Sequence, residues 1–178
     1  MRQTEKSYHM EGVSKIRTDS LTEQEQFIFS KALKKMNDKT YWLIWEIGVT
    51  TGLRISDILS LKTKQILRQK FYIHEKKSGK RKHVYIRQRI LFEFKKYMRD
   101  TKKNINQKAF IVSRKNVWRV FKNTAEKLKI EKNIGTHTMR HTFSANYIKK
   151  HSYKSLQKKL NHEKLIDTIS YTIENKNL

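Results

Sequence analysis

The stretch THTMRHTFSANYI, residues 136–148, packs two histidines, an arginine and three threonines into its first eight positions, then turns apolar and aromatic. In a helix, positions three and four apart share a face. His137, Arg140 and His141 therefore form one polar stripe, with Met139, Phe143 and Tyr147 on an adjacent face that anchors the helix in a core. An arginine beside such an anchor is held in place, and its guanidinium is a planar fork suited to phosphate oxygens. Two histidines four apart are also a zinc-binding spacing. No glutamate lies between them, the chain has no cysteine and no third ligand is near, so no metal is expected.

A second arginine occupies a similar setting. TTGLRISDILSLK, residues 50–62, sets Arg54 directly after an apolar run and between Leu53 and Ile55. The 41 basic residues are mostly lysine. In such a chain, two arginines at core-adjacent sites point to a need for guanidinium geometry beyond charge. The competing reading of Arg54 is a buried ion pair, with Asp57 as its partner.

The 41 Lys and Arg exceed 16 Asp and Glu by 25, and that balance points to a polyanion, nucleic acid above all. A solvated surface in a lysine-rich proteome would give the same count, so charge supports binding and says nothing of chemistry. The absence of cysteine excludes a disulfide framework. The densest apolar run, YWLIWEIGV at residues 41–49, is interrupted by Glu46 and too short to span a bilayer. With no basic-then-apolar leader, a cytoplasmic location is expected.

Residues 1–20 lack a period and read as a tail or linker. From Leu21 the pattern becomes helical, with Thr22 and Glu25 spaced as a capping box. Ile28, Ala32, Leu33 and Met36 follow on one face, and Asn37-Asp38 ends that helix. Residues 40–51 form a second, nearly all-apolar helix that must be central. Gly52 breaks it before a short ISDILSL helix. FYIHE and HVYI are β-rich runs joined by KKSGKRK, a hairpin with a basic tip, and QIL at 65–67 is a candidate third strand. Helices are expected at 88–98, 116–128 and from HTMRH to about His151. A shorter helix holds Leu156 and Leu160, and a last one surrounds Tyr171. The fold class is mainly α with a small antiparallel β-sheet, an α+β fold.

Taken together, four segments resemble the catalytic domain of the tyrosine recombinases, the phage integrase family. TGLRISDILSL resembles the family's first arginine motif, with Arg54. HTMRHTF resembles its His-x-x-Arg motif, with His137 and Arg140. KKLNHEKLIDTISY resembles the closing motif, with His162 nine residues before Tyr171. The hairpin EKKSGKRKHVYI occupies the place of the family's lysine turn, with Lys77 as the matching residue and Lys76 as its rival. The resemblance covers roughly residues 21–172, and the four motifs stand in the expected order.

The resemblance implies the chemistry. Attack of a hydroxyl on a phosphodiester builds charge on the non-bridging oxygens, which fixed cations stabilise; Arg54 and Arg140 fit that role. His137 takes or shares a proton, His162 donates a hydrogen bond to the same phosphate, and a hairpin lysine protonates the leaving 5′ oxygen. Tyr171 is the nucleophile, forming a 3′-phosphotyrosyl link that stores the bond energy, so neither ATP nor a metal cofactor is needed. Lys76, Lys80, Arg81 and Lys82 hold backbone phosphates of duplex DNA, which position the protein without reading sequence. The catalytic unit is expected at 21–178, without the helical clamp domain that usually precedes it. Asn161 stands where the family has a glycine, and His151 where a helix-ending glycine is common. Only seven residues follow Tyr171, so a free monomer is expected, assembling on DNA. A catalytically silent DNA-binding module and a topoisomerase-like relative are the alternatives.

Overall fold

α2, Thr40–Thr51, is the axis of the molecule. Trp42, Leu43, Ile44, Trp45 and Ile47 are all within 1% of full burial, so this helix is covered on nearly every side. A helix apolar all round has no amphipathic alternative to a central position. Its one carboxylate, Glu46, is buried but satisfied: the Ser30 hydroxyl donates to it at 2.6 Å and Arg89 pairs with it. The computed structural model describes residues 18–169.

α1, Glu23–Lys35, packs Phe29 and Leu33 onto α2. Its start is the expected capping box, with Thr22 accepting from the Glu25 amide and the Glu25 carboxylate accepting from the Thr22 amide. Phe29, Trp45 and Phe121 meet at tilted and edge-on angles, with centroids 4.6–5.7 Å apart, the arrangement ring quadrupoles favour. Each such fully buried side chain contributes about 1.5–3 kcal/mol.

Two short helices, α3 (Ile55–Ile58) and α4 (Thr63–Leu67), lead to an antiparallel pair, β1 (Lys70–His74) and β2 (Arg81–Tyr85). The register sets Lys70 against Tyr85 and His74 against Arg81. The candidate strand QIL is part of α4 instead, with Ile66 buried and the Gln65 side chain accepting from the Lys62 amide. Three apolar-leaning residues suit a helix or a strand equally, and local capping decided. The nearby pairing of Lys62 with Lys108 is a single bridge.

α5 (Gln88–Asp100) and α6 (Arg114–Lys127) follow, joined through the buried Ala109 and Phe110. α7, Thr138–Ile148, lies across α2. It ends three residues before His151, whose ring instead stacks on Tyr147 with centroids 4.3 Å apart. α8 (Tyr153–Leu160) and α9 (Leu165–Ile169) complete the described chain. Residues 18–20 already belong to the packed body: Asp19 and Asn133 bond each other through both backbones and the Asp19 carboxylate. Among the described residues no helix is long and apolar enough to cross a membrane.

Candidate active site

Two glycines let α7 approach α2. A Cβ on Gly48 would collide with Met139, and one on Gly52 would lie 2.5 Å from the Phe143 ring. Gly52 also ends α2 in the left-handed region, at φ 64°, where a side chain is strained. The anchoring face of Met139, Phe143 and Tyr147 is as expected: Met139 and Phe143 are buried and Tyr147 packs beside them.

That close approach buries Arg140, which is only 1% exposed. Its guanidinium donates to the Gly52 carbonyl at 2.8 Å and to the Leu160 carbonyl at 3.0 Å. These carbonyls stand at the C-terminal ends of α2 and α8, where unpaired carbonyls carry partial negative charge. Two helix ends thus hold one cation in a fixed plane. Arg140 also meets His162 Nε2 at 2.7 Å, while His162 Nδ1 lies 3.0 Å from the Thr168 hydroxyl. An arginine nitrogen only donates, so Nε2 accepts and Nδ1 carries the proton. His162 is therefore neutral. Burial, with Arg140 and Arg54 beside it, pushes its pKa down to about 4. The His162 Nε2 lone pair is turned on Arg140.

Arg54 is extended between α2 and α3, and its partner is not Asp57. Its guanidinium lies 3.2 Å from the Glu75 carboxylate at the end of β1. The buried Asp57 instead accepts from the backbone amide of Lys76 at 3.0 Å, tying the hairpin to α3.

Arg54, Lys77, His137 and His162 line one pocket of about 400 Å³, together with Ser56, Arg114 and Asp167. Arg140 stands behind it through its contact with His162. His137, just before the first turn of α7, has its pKa lowered by burial and by Arg114 and Arg140. Its neutral form is favoured there. His141 is not among the pocket's lining residues, so the polar stripe divides, with His137 and Arg140 serving the site. Tyr171 lies outside the described residues, two positions past the end of α9.

The hairpin tip is exposed at Lys76, Lys77 and Lys80. Lys80 pairs with Glu163 at 3.0 Å on the surface, and Arg81 stacks 3.8 Å over the Tyr72 ring. Lys82 departs from the expectation of a surface phosphate contact. Its side chain is 4% exposed and its amine lies 3.8 Å from Glu75. Strand alternation is the reason: Lys82 shares the inward face with Val84, as Glu75 does with Phe71 and Ile73. Burial and Arg140 push the Lys82 pKa down to about 7, against the pull of Glu75.

Glu75 and Arg114 escaped the sequence reading. For Arg114 a signal exists. It opens α6 immediately after the Ser113 cap, where the helix dipole disfavours a cation. It lines the pocket there, beside Arg54 and His137.

The Phage integrase family profile matches residues 20–177. The chain is 29% identical over 160 residues to the probable integrase/recombinase YoeC of Bacillus subtilis (strain 168), covering 86% of this chain and 84% of that one. It is 27% identical over 165 residues to the tyrosine recombinase XerA of Pyrococcus horikoshii, covering 86% of this chain and 56% of the relative. The crystal structure of the XerH site-specific recombinase bound to palindromic difH substrate, a post-cleavage complex, superposes with a TM-score of 0.73 at 20% identity, over 94% of this chain and 53% of that one. The chain belongs to the phage integrase family, with the catalytic-domain fold of the tyrosine recombinases, enzymes of site-specific DNA recombination.

Proposed function

We propose that this chain cuts and rejoins duplex DNA with Tyr171 as nucleophile. One observation carries the reading: Arg54, Lys77, His137 and His162 line a single pocket backed by the buried Arg140. In the proposed step the Tyr171 oxygen attacks phosphorus and the bond to the 5′ oxygen breaks. His137 takes the phenolic proton, and Lys77 supplies a proton to the leaving oxygen. Arg54 and Arg140 hold the charge that builds on the non-bridging oxygens, worth roughly 100-fold or more per fixed donor. Attack by a 5′-hydroxyl of a second strand on the phosphotyrosine reverses the chemistry and completes the exchange.

Lys76, Lys80 and Arg81 are assigned to backbone phosphates, in keeping with a net charge of +25. XerH, one of the structural neighbours, is a site-specific recombinase bound to its palindromic difH substrate, and duplex DNA is the partner proposed here. The residues before 18 are assigned to a tail or linker, and the catalytic unit acts in the cytoplasm, is monomeric when free and assembles on DNA. Light scattering with and without a duplex tests the assembly.

Incubation with a nicked suicide duplex, followed by a denaturing gel, tests the chemistry. Wild type is expected to leave a covalent protein–DNA band and Tyr171→Phe none. Equal adduct from the two proteins overturns the assignment. Salt-sensitive binding without adduct on any duplex leaves a silent DNA-binding module.

A further inference from the structure

We propose that Glu75, with Lys82 behind it, is the positioning residue of this site, aiming Arg54 and fixing the hairpin turn that carries Lys77. The inference rests on the strand-transfer reading above and deepens it.

Glu75 is 1% exposed and is met by four separate segments. One carboxylate oxygen lies 3.2 Å from Arg54, between α2 and α3, and 3.8 Å from Lys82 on β2. The other accepts from the Ser78 hydroxyl in the turn at 2.9 Å and from the Asn161 amide at 3.4 Å. Asn161 ends α8 in the left-handed conformation, φ 54°, directly before His162. A single anion therefore ties the first arginine, the lysine turn and the histidine segment together.

Electrostatics gives this anion its purpose. Arg54, Arg140 and Lys82 converge on a poorly hydrated corner, with Lys159 adding to the field at Lys82. Burial opposes the Glu75 charge, but Lys82, the Ser78 hydroxyl and Arg54 outweigh it and hold the carboxyl below its usual range. A carboxylate among like charges cancels their mutual repulsion, which would otherwise drive the partly exposed Arg54 toward solvent. With Arg54 and Arg140 each positive and Glu75 negative, the corner still keeps net positive charge for a phosphate.

Single-turnover cleavage of the suicide duplex at saturating protein, DNA affinity and thermal melting test the proposal together. Glu75→Gln is expected to cleave roughly 100-fold more slowly, the cost of about 1 Å of misplacement, with DNA affinity unchanged. Glu75→Asp keeps the charge but shortens its reach, and is expected to melt like wild type while losing roughly tenfold in rate. The double variant Glu75→Gln/Lys82→Met removes both buried charges and is expected to fold yet stay slow. Wild-type cleavage by Glu75→Asp, or recovery of the full rate in the double variant, overturns the proposal by reducing Glu75 to a charge balance for Lys82. Tyr171→Phe runs alongside: if it forms adduct, the strand-transfer reading fails instead.

Discussion

The two sides of the pocket are built on opposite plans. On the helical side, Arg140 is buried among α2, α7 and α8, with its two terminal nitrogens aimed by backbone carbonyls and a histidine. On the hairpin side, Lys77 rides an exposed turn whose Gly79 has nothing within 4 Å of where a Cβ would stand. Fixed dipoles at helix ends cost nothing to reorganise when charge develops on a phosphate, which suits a group that must already be in place. A proton donor to a departing oxygen has to reach, and a lysine on a turn has the freedom to do so. The contrast separates holding from reaching.

Substitutions on the two sides should therefore fail differently. The largest effect is expected from Arg140→Lys. A point charge on a flexible stem cannot bridge the Gly52 and Leu160 carbonyls at once. Adduct formation should fall on the order of 1000-fold, and the melting midpoint should fall with it. Lys77→Ala should lose roughly 100-fold in single-turnover cleavage with no change in melting. If Lys77→Ala melts early, or Arg140→Lys melts like wild type, the contrast is broken.

Gly52→Ala probes the helical side without touching a charge. The added methyl meets Phe143 at 2.5 Å on a left-handed backbone, and chemical denaturation should show a loss of about 2 kcal/mol. The same change at Gly79, also left-handed but open around it, should cost less, about 1 kcal/mol.

The helical side should also carry a pH signature. His162 has a folded pKa of about 4, below the ordinary 6.5. Between those values the unfolded chain binds the proton more readily, so stability falls as pH drops through the window. Wild type should lose stability relative to His162→Gln from about pH 6.5 to about 4, read by denaturant titration at each pH. Above pH 7 that difference should be flat. The smallest effect belongs to the hairpin surface. Replacing Lys76, Lys80 and Arg81 together by alanine should weaken DNA binding uniformly across sequences. It should reduce the slope of log affinity against log salt by roughly one per lost phosphate contact.

What the sequence disclosed divides along the same line. Periodicity located the longer helices, because α2 and the inward faces of α1, α5 and α6 follow spacings that burial demands, whereas the short α4 carries no period and resembles a strand. The capping box at Thr22 and Glu25 forms as its spacing predicts. His137, Arg140, Arg54 and Lys77 were legible from motif order. Glu75 was not: one carboxylate among lysines carries no spacing that distinguishes a buried anchor from a solvated charge, and its partners come from segments up to 86 residues away. The inward position of Lys82 is encoded by strand alternation. With Val84 inward, the period of two places Lys82 inward as well, and its lysine identity masked the rule. The true partner of Arg54 depended on the angle between β1 and α3, which no local pattern encodes.

The double attachment of Arg140 also bears on how the molecule is made. One of its anchors, Gly52, is synthesised early, and the other, Leu160, only after α7 is complete. A nascent chain that has emerged no further than α7 has its arginine but only half the bracket that aims it. The cradle around Arg140 therefore closes only once α8 has been made.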